Sequence, residues 1–425
     1  MEHIVHSHII SHFERHNILH SAQHGFRKRR SCESQLILTV HDLALGLNDS
    51  HQIDAVLLDF SKAFDKVPHT HLLHKLHHYG VRNQTLDWVA AFLRHRTQRV
   101  VCKGQTSRSV PVVSGVPQGT VLGPLLFLAY INDLPDVVSS TARLFADDCL
   151  LYRTISSHQD AECLQKDLDS LQKWETQWGM QFNPEKCEVV RITLKRRPVI
   201  SNYFIHNSAL KTVGHAKYLG VTLDSKLSFN AHIDTICKKA NSTRAFIMRN
   251  TKGCPRSLRS KAYSTFVRPT LEYASAAWDP HTIQNIKKIQ SVQRLAARGV
   301  MDDWSRGCSA QPTHTSGSPT TMQQLLGWEP LDERRAKTKA TMMYKLAHDL
   351  IDIPTHLLIP NTRPTRGHLC KYQVLSTRVK AYQYSFFPSA IILWNGLPEH
   401  LVSSPSLESF KHHLRGVSLL AAPHF

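Results

Sequence analysis

Phe145-Ala146-Asp147-Asp148 places two adjacent carboxylates at the tip of what reads as a β-hairpin. Leu144 and Phe145 precede the pair, and Leu150, Leu151 and Tyr152 follow it. An apolar hairpin that ends in two acids constrains the fold strongly, because ionised carboxylates are costly to desolvate without a counter-charge. A divalent cation suits such a site. The alternative is a solvated turn, and one Asp-Asp pair alone does not separate the two.

A third acid shifts the balance. Ala55-Val56-Leu57-Leu58-Asp59 is an apolar strand that ends in a carboxylate and continues as Phe60-Ser61-Lys62-Ala63-Phe64-Asp65. Between the two acidic segments lies Ser114-Gly115-Val116-Pro117-Gln118-Gly119-Thr120, a rigid Gly/Pro loop, followed by an apolar run that predicts a buried helix.

The chain has 425 residues, a net charge of +19 and a pI near 9.6. That length allows two or three domains, and that charge predicts a polyanionic partner. The longest apolar run, Val121 to Ile131, is too short to span a bilayer. Met1-Glu2-His3-Ile4 lacks the pattern of a signal peptide. Nucleic acid is therefore the expected partner. The nine cysteines form no CxxC pair and no zinc-knuckle spacing, as expected of a reduced compartment. Between Lys226 and Val300 there are 14 Lys or Arg against three acids, a net of +11. This stretch reads either as a solvated helical face or as a surface that tracks a nucleic-acid backbone. His8, His12, His16, His20 and His24 recur every four residues, but without acids or cysteines they read as a polar face rather than a metal stripe.

Periodicity predicts an amphipathic helix over residues 1–20 with Val5, Ile9 and Phe13 on one face, and further helices over 36–47, 70–79 and 84–95. Strands are expected at 54–59, as a pair within 97–113, and at Glu188 to Leu194. Ala161, Leu164, Leu168, Leu171, Trp174 and Trp178 share one face of a long helix. Residues 229–300 read as mostly helical. Residues 305–321, rich in Ser, Thr, Pro and Gly, read as a linker, and residues 322–425 as a mixed region of unassigned role.

An acid-ending strand, a Pro-Gln-Gly loop with a buried helix, and an Asp-Asp hairpin follow one another here in the order found in reverse transcriptases. The chain resembles the polymerase of non-LTR (LINE-type) retrotransposons, most like the jockey and CR1 groups. The resemblance rests on Gln23-His24-Gly25-Phe26-Arg27, Leu58 to His69, Ser114 to Pro135, Leu144 to Tyr152, Asn183 to Lys186 and Tyr218-Leu219-Gly220-Val221. It covers residues 1 to about 225, with a looser likeness as far as Trp394-Asn395-Gly396-Leu397-Pro398.

The resemblance implies an α+β right-hand polymerase. Partial fingers and a split-βαβ palm would occupy residues 1–225, with Tyr218 to Leu223 as the primer grip. A basic helical thumb would occupy 226–304, and the mixed C-terminal region would follow the linker. It implies RNA-directed DNA synthesis on an RNA template from a DNA primer, with an RNA–DNA duplex and dNTP bound. Two Mg²⁺ ions about 4 Å apart, or Mn²⁺ in their place, would be held by Asp59, Asp147, Asp148 and the Phe60 carbonyl. Lys186 would protonate the leaving pyrophosphate. Arg27, Phe60, Ala63, Phe64 and Gln118 would contact the nucleotide, with Phe64 excluding a 2′-hydroxyl and Arg30 a second phosphate-clamp candidate beside Arg27. Asp65, beyond the strand end, is expected to be a helix-start or salt-bridge acid. The implied setting is a nuclear and cytoplasmic ribonucleoprotein, neither secreted nor membrane-bound, with no obligate protein partner.

No endonuclease-like segment precedes the motifs, and the Arg-Pro-Ile-Ser-Leu-type fingers segment of the family is absent. The expectation is therefore a truncated reading frame, in which Val5, Ile9 and Phe13 lose part of their cover and the Arg27 loop is poorly fixed. The competing reading is a non-catalytic relic that only binds nucleic acid through its basic thumb. A group II intron maturase is a further alternative, less consistent with Tyr218-Leu219-Gly220-Val221-Thr222-Leu223-Asp224.

Overall fold

The computed structural model describes residues 1–302, 319–362 and 367–420. They fall into two compact units, one of Met1–Gln35 with Ser50–Leu219, the other of Leu36–Asp49 with Gly220–Phe425.

The first unit is built on a five-stranded sheet around β1 (Gln52–Leu58). Two small antiparallel pairs follow in the chain, β2 (Thr97–Gln98) with β5 (Val110–Pro111) and β3 (Val101–Cys102) with β4 (Gln105–Thr106). The main sheet continues with β6 (Thr141–Phe145), β7 (Asp148–Ile155) and β8 (Glu188–Ile192). A hairpin of β9 (Phe204–Ile205) and β10 (Ser208–Ala209) precedes its last strand, β11 (Lys211–Val213). The order is β11-β8-β1-β7-β6. All neighbours are antiparallel except β11 and β8. Six of the seven β1 residues are buried, the polar Gln52 and Asp54 among them, so the strand is covered on both faces.

Along residues 1–180 the helices are α1 (Glu2–Arg15), α2 (Cys32–Asn48), α3 (Ala63–Lys66), α4 (His69–His78), α5 (Asn83–Leu93), α6 (Leu122–Ile131) and α7 (His158–Trp178). α7 starts at a Ser157–Asp160 capping box and ends at Gly179 in the left-handed region. Its face of Ala161, Leu164, Leu168, Leu171 and Trp174 is buried, as the periodicity predicts. α6 is buried at every residue except Pro124, which explains why it is apolar on all sides.

The N-terminal helix corrects one expectation. Ile9 and Phe13 are buried in the same core as α6, and only Val5 is left half-covered. The Glu2 carboxylate accepts hydrogen bonds from Val121 N (2.9 Å) and Leu122 N (3.3 Å), so an acid of α1 caps the start of α6. The histidine stripe does not form one face either. α1 ends at Arg15, His12 hydrogen-bonds with the Tyr79 carbonyl, and His24 is buried beyond the helix.

A buried lysine joins α4 to α6 and α7. Lys75 donates to the Tyr130 carbonyl and to Asp133, both at 2.6 Å, and lies 3.7 Å from the centre of the Trp178 ring. Burial pulls its pKa down to about 8 despite Asp133.

The second unit is helical. α8 (Asn230–Asn250), α9 (Arg256–Ala262), α10 (Arg268–Glu272), α11 (Ser275–Trp278) and α12 (Ile283–Met301) follow the short strands β12 (His215–Tyr218) and β13 (Val221–Asp224). Then come α13 (Pro319–Leu325), α14 (Leu331–Ala347), α15 (Lys380–Gln383), α16 (Phe386–Asn395), α17 (Glu399–Val402) and α18 (Leu407–Arg415). Among the described residues the C-terminal region combines these helices with a largely irregular stretch between α14 and α15, which holds one isolated bridge between Pro360 and Tyr372. It belongs to the same compact unit as α8–α12. Asp279 links the two stretches by accepting from Arg335 (2.8 Å) and pairing with Lys339 (2.9 Å). Most of the expected linker, residues 305–318, lies outside the described residues; its end, from Pro319, is helical.

Candidate active site

The three acids meet at one end of the sheet. β1 pairs antiparallel with β7 in the register Leu58–Cys149, which puts Asp59, one residue on, level with Asp148 on the neighbouring strand. β6 and β7 close at the Phe145–Asp148 pair, leaving Ala146 and Asp147 as the turn. Ala146 takes φ +53°.

Little in the protein neutralises this cluster. Asp59 Oδ2 is shielded from solvent and has no hydrogen-bond partner among the described residues. Its cationic neighbour is Lys186, whose Nζ lies 3.4 Å away and stays largely exposed. Crowding by surrounding protein pushes the Asp148 carboxyl up to about 6, with the charges of Asp147 and Asp59 adding to the effect. Asp147 is raised as well, first by desolvation and then by Asp59, against a lowering backbone hydrogen bond. Both side chains still reach solvent, so a ligand could approach them. The donor set fits a hard divalent cation: oxygen only, from more than one strand, with a surplus of negative charge. Among the described residues, however, no three acidic, His or Cys side chains converge closely enough to chelate one ion as they stand.

The segment carrying Lys186 is tied to β1. Asn183 N donates to the Asp59 carbonyl (2.7 Å), Ser61 N donates to Gln181 O (2.8 Å), and the Phe60 and Phe182 rings stack at 4.3 Å. Lys186 N in turn donates to the Asn183 carbonyl (3.0 Å). The Phe60 side chain is therefore part of the core.

The Gly/Pro loop is laced to α3. Gly115 N donates to Val67 O and Val116 N to Phe64 O, both at 2.8 Å, and Ser114 Oγ donates to Asp65 O at 2.9 Å. Gly115 has φ +90°, and a Cβ there would come within 2.7 Å of the Asp65 carbonyl oxygen, so the position requires glycine. Gln118 donates from Nε2 to Asp65 Oδ1 at 3.0 Å. Asp65 thus lies outside the acid cluster, as a partner of the exposed Gln118. Phe64 is half-buried and stacks on Phe127 of α6 (4.3 Å between centroids), and Ala63 is buried at the start of α3.

Arg27 and Arg30 first serve their own loop. Arg27 Nη1 donates to His20 O (3.1 Å), and Arg30 Nη1 donates to Ser21 O (2.6 Å) and Gln23 O (2.7 Å). The loop is well tied, contrary to expectation. Its arginines stitch it to the carbonyls of residues 20–23, and Gln23 joins it to the Ala146 turn, with Oε1 2.9 Å from Ala146 N.

A largely antiparallel core sheet with carboxylates at the ends of adjacent strands is the arrangement of a polymerase palm. Residues 1–223 match the family described as reverse transcriptase (RNA-dependent DNA polymerase), and the chain belongs to that family. It is a jockey-like, non-LTR member. The chain is 30% identical over 304 residues to a probable RNA-directed DNA polymerase from transposon X-element of Drosophila melanogaster, covering 68% of this chain and 33% of that protein. It is 29% identical over 297 residues to the RNA-directed DNA polymerase from mobile element jockey of the same species, covering 65% and 31%. The chain thus spans about a third of the length of the curated relatives it matches. Among solved structures, apo telomerase from Candida tropicalis aligns over 72% of this chain and 50% of its own, at 11% identity and a TM-score of 0.39. Polymerases of this family work with divalent metal ions.

Proposed function

We propose that this chain is an RNA-directed DNA polymerase that extends a DNA primer along an RNA template with dNTPs, using Mg²⁺ for which Mn²⁺ can substitute. The observation that carries the reading is the cluster of Asp59, Asp147 and Asp148, which one exposed lysine, Lys186, only partly offsets. A shielded carboxylate oxygen with no hydrogen bond, beside two carboxyls of raised pKa, is a poor way to stabilise a fold and a good way to receive cations. Asp59, Asp147 and Asp148, with the Phe60 carbonyl, would hold the ions. Ions bound there would favour ionisation of the primer 3′-hydroxyl and neutralise charge developing on pyrophosphate.

The remaining roles belong to the chain's own groups. Lys186 would give a proton to the leaving pyrophosphate, a role its contact with Asp59 supports. Phe64, held flat against Phe127, would present its edge to the sugar and disfavour a 2′-hydroxyl. Gln118 would exchange its bond to Asp65 for the nucleotide or template base, with Ala63 lining the site and Arg27 reaching the triphosphate. The net charge of +19 supports an RNA–DNA duplex as partner; the setting would be a nuclear and cytoplasmic ribonucleoprotein. Among the described residues no helix is long and apolar enough to cross a membrane.

Primer extension by the purified chain on an RNA template tests the reading. DNA synthesis that needs dNTPs and stops with EDTA is expected. A chain that binds the duplex but adds no nucleotide under Mg²⁺ or Mn²⁺ would leave only the binding role.

A further inference from the structure

The turn that presents Asp147 and Asp148 does not support itself. Ala146 sits at φ +53°, in the left-handed region that favours glycine. Its N–H points at a residue 123 positions away in sequence, Gln23. That side chain is buried, with 2% of its surface exposed. Its Oε1 accepts from Ala146 N (2.9 Å) and from Gly25 N (2.7 Å). Two backbone donors converging on one atom identify it as the amide oxygen. Nε2 then faces away, buried and without a partner among the described residues.

The neighbouring backbone makes the same connection. His24 N donates to Leu144 O (2.8 Å) and Leu144 N to Ala22 O (3.0 Å), so residues 22–24 run beside the end of β6 as a short parallel bridge. Gly25 completes it, because a Cβ there would collide with Ala146 N.

The geometry points to Gln23 as a positioning residue for the catalytic acids. Its amide oxygen holds the Ala146 peptide in the left-handed turn that aims Asp147 and Asp148 at the space beside Asp59. Without that acceptor, Ala146 relaxes toward negative φ, its N–H loses its partner, and the Asp147 backbone rotates. A displacement of about 1 Å at such a site costs on the order of a hundredfold in rate. This inference rests on the polymerase reading of the acid cluster.

The test uses the full chain in primer extension, together with melting of the nucleic-acid-free protein in Mn²⁺. Gln23→Met keeps the volume and removes the acceptor. It should lower kcat on the order of a hundredfold, leave duplex affinity and dNTP KM nearly unchanged, and shrink the rise in Tm that Mn²⁺ produces. Gln23→Glu, which keeps an acceptor, should recover much of the loss. Adding Ala146→Gly to Gln23→Met should do so too, because glycine takes positive φ without strain. Parent-level kcat in Gln23→Met overturns the proposal. So does a loss that neither rescue relieves, accompanied by an unchanged Mn²⁺ response, since that pattern marks a purely structural residue. If Gln23→Met does not fold, Gly25→Ala decides, with the same kinetic signature expected and normal kcat overturning it. If the parent chain makes no DNA, the polymerase reading fails by itself, and the Mn²⁺ melting comparison still judges Gln23.

Discussion

Strand β1 carries an acid at each end, and the protein treats them in opposite ways. Asp54 is fully buried and surrounded by partners: Gln52 Nε2 donates to it at 2.9 Å, Tyr203 Oη at 2.8 Å, and the Arg191 guanidinium lies 3.4 Å away. Asp59, five residues on, keeps one shielded oxygen with no hydrogen bond and faces two more carboxylates. A fold that can satisfy a buried carboxylate this completely at one end of a strand is able to do so at the other. The contrast therefore marks the Asp59 end as a place where stability is given up for a ligand.

The sharpest break between the two ends is substitution by alanine. Asp59→Ala, Asp147→Ala or Asp148→Ala should reduce DNA synthesis to background while the melting temperature does not fall and duplex binding survives. Asp54→Ala should instead destabilise the first unit by about 3–5 kcal/mol, because it strands Arg191 and two polar side chains in the interior. Denaturant titration beside primer extension checks both. If Asp147→Ala extends primers as well as the parent, the site assignment is wrong.

Asp148→Asn should separate function from stability. A carboxyl whose pKa is raised to about 6 weakens the fold once ionised. That penalty is absent at low pH, grows from about pH 4 to about pH 6, and is complete above. In the absence of metal the variant should therefore melt above the parent at neutral pH, and the gap should close as the pH falls below about 4. Divalent metal should raise the parent's Tm more than the variant's. Synthesis should decline at acid pH, where protons compete with the metal for Asp148.

Phe64→Val probes the sugar filter. Removing the ring should raise ribonucleotide use relative to dNTP by about 10–100-fold, the range that pocket bulk alone commands. Unchanged discrimination would reduce Phe64 to a packing partner of Phe127. The smallest effect is expected from the second unit, where Lys238, Lys239 and Arg249 are exposed on α8. Charge reversal at these positions should flatten the salt dependence of duplex binding by about one unit of log–log slope per lost phosphate contact. An indifferent slope would put the duplex elsewhere.

The Asp59 end of β1 was legible in the sequence because its signals are local. An apolar strand that stops at an acid and an apolar hairpin that turns at two need no distant information. The Asp54 end was not legible. Its partners Tyr203 and Arg191 lie far along the chain, and no local pattern announces that a strand acid will meet them. Gln23 belongs to a local motif, but its bond to Ala146 spans 123 positions and shows only in three dimensions. Helix α14 was not legible either, for a related reason. α14 buries Arg335 and Lys339 against Asp279, and buried cations break the apolar stripe on which helix recognition depends. Desolvation alone would raise the Asp279 carboxyl, but Lys339 and Arg335 outweigh it and hold it below its ordinary value.

Lys75 gives the first unit a built-in clock. Its amine has a pKa near 8 and is only 3% exposed, wedged between the Tyr130 carbonyl, Asp133 and the Trp178 ring. Chemically it is readier to acylate than an ordinary lysine, but sterically it is shut away. An amine-selective reagent should thus modify Lys75 at the rate at which α4, α6 and α7 part, while exposed lysines react at once. The lag read by mass spectrometry would report how often this part of the core opens.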